Sequence, residues 1–187
     1  SKNILTEFGQ FCIDNMVNDP ELIWSLIWIN IVYNSELVGW FVNNISKDHA
    51  FDRARLSELA YDYFSSSFSK NTIDYAFQAL MQVFKYSPCG ETLCQGAEYD
   101  KNHLIRYEYK DLSEIALAYS LYKFADANGT RSLRVQDFYD DDCRNGVARE
   151  FCLSKEKFEK GLRTLNSAKD RILVANLSMG LNHITLQ

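Results

Sequence analysis

The chain has 187 residues, of which 47% are hydrophobic and 24% charged, with 8 Gly and only 2 Pro. This excludes a disordered, collagen-like or proline-rich character over most of its length. The formal net charge of −5 argues against a generic polyanion binder. That charge is uneven. Residues 1–50 carry 2 basic and 6 acidic side chains, whereas residues 151–187 carry 6 basic and 3 acidic ones, so only the last segment is suited to meet an anionic surface.

Residues 4–17 place Ile4, Leu5, Phe8, Phe11, Cys12 and Met16 at helical spacing and predict a short helix. Asp19 can cap the next one, Pro20 fits its first position, and Glu21 complements its positive end. Residues 22–33 are apolar around nearly the whole circumference, which predicts a central buried helix. Ser25 and Asn30 interrupt this stretch, and it falls short of the roughly 20 residues that span a bilayer; no membrane partner is expected. Leu37, Val38, Trp40, Phe41 and Ile45 predict a further amphipathic helix over 36–45, with Trp24, Trp28 and Trp40 as core residues.

Residues 52–86 read as a helix-turn-helix. Leu56, Leu59, Ala60, Tyr63 and Phe64 line the first helix, Ser65 to Ser67 make the turn, and Ser69 caps a second helix with Ile73, Phe77, Leu80, Met81 and Phe84 inward. In a DNA-binding unit of this kind the start of the second helix meets base edges. Lys70 and Asn71 are the candidate contacts, although Asp74 nearby would repel phosphates. Such units also serve as protein-binding modules.

Residues 87–106 look irregular. Alternation over 103–109 predicts a strand with Leu104, Arg106 and Glu108 on one side and Ile105, Tyr107 and Tyr109 on the other. Ser113 caps a helix that ends near Asn128 and Gly129, a left-handed stop. A short strand or helix start at 133–139 and a Ser154-capped helix follow, then two alternating stretches at 171–176 and 181–186. The expected fold is therefore mostly α with a small β component. It comprises a helical region at 1–110 with one bihelical unit, and a winged-helix-like region at 111–187 that ends in a β-hairpin. Lys155, Lys157, Lys160 and Arg163 on the last helix, with Lys169 and Arg171 at the hairpin entrance, are the main candidate DNA contacts. The same lysines would also serve simply to keep a surface helix solvated.

Motifs for chemistry are sparse. The five cysteines, Cys12, Cys89, Cys94, Cys143 and Cys152, are odd in number and irregularly spaced. They predict reduced thiols and a cytoplasmic setting rather than a disulfide framework. Cys89 and Cys94 with His103 form an incomplete zinc-like set, because no second paired motif accompanies them. Cys143 follows Asp140 to Asp142, whose charges oppose a thiolate. No hydrolase elbow, zinc-protease helix, phosphate loop or dinucleotide fingerprint occurs. The reading is of a non-enzymatic chain with no catalytic residue, no metal and no cofactor.

Leu5-Thr6-Glu7-Phe8-Gly9, the block from Asp19 to Trp28, and Val38-Gly39-Trp40-Phe41 together resemble a bacterial and archaeal domain family of unknown function. The likeness extends more loosely through Phe77 to Tyr86 and the strand pair at 171–186. It implies that this chain matches the C-terminal part of longer proteins, in keeping with a first residue, Ser1, that suggests a processed product or fragment. It also implies genes beside proteins resembling phosphoadenosine-phosphosulfate reductase, in DNA-modification (phosphorothioation) and phage-defence clusters. The resulting expectation is an accessory protein that binds DNA, a sulfotransfer or DNA-modification protein, or both. The alternatives are a purely protein-binding module whose acidic N-terminal half docks a basic partner, and a metal or thiol site at Cys89 and Cys94.

Overall fold

The computed structural model describes residues 5–168, 173–178 and 181–187. Among them are eight α-helices and two small antiparallel sheets. Helix α1 (Glu7–Asn15) is shorter than its apolar spacing predicts: only Cys12 is buried, while Leu5 and Phe11 are exposed. Helix α2 (Pro20–Asn34) starts as expected, with Asp19 accepting from the Leu22 amide. Ile23, Leu26, Trp28, Ile29 and Val32 are buried along it, so it forms the central rod. Helix α3 (Glu36–Asn44) is capped by Ser35 and turns away from α2 by 103°. No single helix among the described residues is long and apolar enough to cross a membrane.

Helices α4 (Arg53–Phe64) and α5 (Lys70–Tyr86) are capped by Asp52 and Ser69 and pack on each other. Trp40 of α3 meets the rings of Phe64 and Phe77, joining this pair to the core. Three two-residue strands follow the order β1-β3-β2: β1 (Ala50–Phe51), β2 (Ala97–Glu98) and β3 (Leu104–Ile105). The strand expected over 103–109 is thus only two residues long, and its alternation fails. Ile105 and Arg106 are both buried, and Tyr107 is exposed. The reason is that Arg106 leaves the ladder to find acceptors inside the protein.

The last third begins with α6 (Glu114–Asn128), capped by Ser113 and closed by Gly129 at φ 62°. Strand β4 (Ser132–Arg134), a 3-10 turn (Gln136–Tyr139), α7 (Val147–Glu150), α8 (Lys155–Ser167), β5 (Leu173–Ser178) and β6 (Leu181–Leu186) follow. The second sheet has the order β4-β6-β5. The strand expected at 171–176 is seen from Leu173 and runs on to Ser178, with Leu177 opposite Asn182. Helix α8 buries Phe158, Leu162 and Leu165 against this sheet and α6. Gly161 permits close packing on α6, because a Cβ there would lie 2.5 Å from Leu117 Cδ2. One hydrophobic core draws on both sides of residue 110, from Trp28 and Phe84 to Phe151, Phe158 and Ile184.

Candidate functional site

Of the described basic residues foreseen from the sequence, Lys70 stands on α5 and Lys155, Lys157, Lys160 and Arg163 on α8. Lys70 and Asn71 lie exposed at the start of α5, where Asp74 is held by Arg53 at 3.7 Å and by the Ser57 hydroxyl at 3.2 Å. On α8, Lys157 and Lys160 line a groove with Lys110, Leu112 and Glu114 at the start of α6. Lys155 lies at the other edge, where its Nζ donates to Gln136 Oε1 at 2.9 Å. Arg163 is exposed and lies 3.5 Å from Glu159, which also accepts from Asn182 of β6. Lys169 and Arg171 lie outside the described residues.

The structure brings Lys155 together with three cations that sequence reasoning missed as a group. Lys155, Lys47, Arg106 and Arg149 line a cavity of about 390 Å³ between the end of α3, the 3-10 turn and the start of α8. Asp141 is its one carboxylate, and Val42, Ile45, Phe138 and Leu153 supply apolar wall. Arg106, read from the sequence as one side of a strand, is 1% exposed. Its guanidinium donates to Gln95 Oε1 at 2.8 Å and 3.2 Å, and to the carbonyls of Ile45 at 2.7 Å and Val42 at 3.2 Å. It also donates to the carbonyls of Arg149 and Glu150 and stacks 5.2 Å from the Phe41 ring centre. All these acceptors are neutral. Burial opposes its charge, and among the described residues no carboxylate pairs with it. Arg149 holds the carbonyls of Asp140 and Asp141 through Nη2, while its buried Nε has no hydrogen-bond partner. Nothing in the local sequence signals this grouping, since Lys47, Arg106 and Arg149 come from three separate segments.

The start of α8 is partly capped. Ser154 Oγ accepts from the Lys157 amide, and Glu108 Oε1 accepts from the Ser154 amide at 2.7 Å. Glu108 is held below the usual carboxylate range because these hydrogen bonds from Ser154 and the charges of Lys47 and Lys157 outweigh its desolvation.

In the cysteine loop, Cys89 and Cys94 are both free thiols. Cys89 is fully buried and burial pushes its thiol up to about 11. Cys94 adopts φ 59° and its Sγ lies 3.5 Å from the Glu91 carbonyl. His103 is engaged with Asp100 at 2.9 Å and lies 3.7 Å from Asp52. Among the described residues no group of three or more His, Cys, Asp or Glu is placed to hold a metal ion. Cys143 is raised as its acidic neighbours suggest, but burial is the larger cause and Arg149 partly offsets it.

A buried acid was not foreseen. Glu150 is fully buried, and desolvation pushes its carboxyl up to about 7. Ser120 Oγ donates to Glu150 Oε2 at 2.6 Å. Oε1 and the nearby phenol of Tyr33 are buried without a hydrogen-bond partner, and burial together with the Glu150 charge raises that phenol.

The site and fold thus define a mostly helical protein with two small antiparallel sheets and a cationic cavity. Comparison with protein-family models, with curated proteins and with solved structures finds no match.

Proposed function

We propose that this chain is a non-enzymatic accessory protein of a DNA-modification or phage-defence system, with residues 111–187 acting as a winged-helix-like unit on DNA. The observation that carries the reading is the order of elements after residue 111. A helix, a strand, a 3-10 turn, the short helix α7, the longer helix α8 and a hairpin follow one another, and the first strand pairs beside the last in the order β4-β6-β5. In such a unit the second helix enters the major groove. Here that helix is α8, which leaves Lys160 and Arg163 exposed. The resemblance of the Asp19 to Trp28 block supports the defence setting and a sulfotransfer or DNA-modification protein as a partner. The bihelical α4–α5 pair, with Lys70 and Asn71 at the start of α5, is a secondary contact in this reading.

A gel-shift series over salt, with duplex DNA carrying or lacking modification, tests it. Phosphate contacts must weaken steeply as salt rises. Absence of binding at low salt, or indifference to charge reversal on α8, rejects DNA contact. A protein-binding module is the second reading, favoured by the exposed Phe11 and Ile13 on α1 and the exposed Leu5 and Val17 on either side of it. Co-purification with a partner in the absence of nucleic acid selects it.

A further inference from the structure

We propose that the cavity between α3, the 3-10 turn and α8 binds a phosphoryl group carried on a small aromatic body, a nucleoside monophosphate by chemical class. Four cationic side chains, Lys47, Arg106, Arg149 and Lys155, line it with one carboxylate, Asp141, while Glu108 accepts from the Ser154 amide at its edge. Folding an excess of positive charge around one hollow costs free energy unless an anion offsets it. Arg106 is the strongest sign. Its guanidinium is almost wholly removed from water, and its hydrogen bonds all go to neutral oxygens. It is fixed in place by carbonyls from two segments, so it offers a rigid positive backstop rather than a mobile surface charge. Arg149 lines the same hollow, with its Nη2 held by the carbonyls of Asp140 and Asp141. Lys47 and Lys155 are exposed and can close over a bound group.

The remaining wall sets the rest of the ligand. Val42, Ile45, Phe138, Tyr139 and Leu153 present apolar and ring surface beside the cations. A cavity of about 390 Å³ lies within the range of small-molecule sites. It exceeds what a bare phosphate fills and suits a base and sugar. The start of α8 is partly taken up, because Glu108 accepts from the Ser154 amide and Ser154 Oγ from the Lys157 amide.

This site is separate from the exposed face of α8 and stands or falls without duplex binding. Isothermal titration of the intact protein with each of the four common ribonucleoside monophosphates, with their nucleosides and with inorganic phosphate tests it. The expected result is at least one monophosphate binding below about 1 mM, with its nucleoside and inorganic phosphate each about 10-fold weaker or more. Lys47→Ala with Lys155→Ala should weaken binding about 10-fold; both side chains are exposed, and a thermal melt confirms that the variant is folded. Lys160→Glu with Arg163→Glu should leave it unchanged while weakening any duplex binding at least about 10-fold. No binding by any monophosphate, equal binding of nucleoside or inorganic phosphate, or no effect of the Lys47 and Lys155 changes overturns the proposal.

Discussion

The indole Nε1 of Trp28 donates a 2.8 Å hydrogen bond to the main-chain carbonyl of Glu150, 122 residues further along the chain. It ties the central helix α2 to the short helix α7. The same carbonyl lies within reach of Arg106 at 3.4 Å, so one buried acceptor joins three distant segments. Trp28 is itself wholly buried against Phe84. Trp28→Phe keeps much of the ring volume but removes the donor and leaves a void. The expected cost is about 2–4 kcal/mol, read as a lower urea midpoint with an unchanged slope.

Glu150 makes stability depend on pH. Its folded value of about 7 lies above the ordinary 4.5, so between these the folded chain holds a proton that the unfolded chain has lost. The contribution is full below pH 4.5, falls as pH rises through this window, and is gone above about 7. The maximum slope is about 1.4 kcal/mol per pH unit. Glu150→Gln keeps an acceptor for Ser120 and cannot ionise. The variant should match the parent near pH 4.5 and exceed it by about 1–3 kcal/mol at pH 8. Thermal melts of both proteins across pH check this, since other titrations cancel in the difference.

On α8, the exposed Lys160 and Arg163 should carry duplex DNA contact. Arg163 pairs with Glu159 only at the surface, an interaction too weak to withhold it from a phosphate. Lys160→Glu with Arg163→Glu should lower duplex affinity at least about 10-fold at low salt and reduce the salt slope by about 2. Lys70→Glu on α5 should have the smaller effect, because Lys70 lies on a different helix pair. Titrations by fluorescence anisotropy at several salt concentrations separate the two.

Gly161 sets how closely α8 approaches α6. In Gly161→Ala the new methyl would lie 2.5 Å from Leu117 Cδ2, and Leu117 is buried and has little room to yield. Overpacking of this kind costs about 1–3 kcal/mol. Denaturant unfolding measures the loss, and weaker DNA binding should accompany it if α8 shifts against the hairpin.

Local signals were legible wherever one residue type determines one local geometry. Asp19, Ser69, Ser113 and Ser154 all cap the helices expected of them, because each side-chain oxygen reaches an amide three residues on. Gly129 closes α6 in the left-handed conformation for an equally local reason. The helices of 52–86 and the hairpin partner at 181–186 follow from apolar spacing alone. Alternation misled at 103–109, where it placed Arg106 on one strand face with Leu104 and Glu108, opposite Ile105, although Ile105 and Arg106 are both buried.

By itself, then, the sequence determined a mostly helical chain, its caps and stops, its buried Trp28 and its basic last segment. These are matters of spacing within one helix or strand. Only the tertiary structure decided which basic residues meet. It split Lys155 from Lys157 and Lys160 across two edges of α8 and joined it instead to Lys47, Arg106 and Arg149. Folding brings those four together from positions up to 108 residues apart. Periodicity holds no record of such a meeting, because it is set by which helices pack and which carbonyls a buried guanidinium can reach.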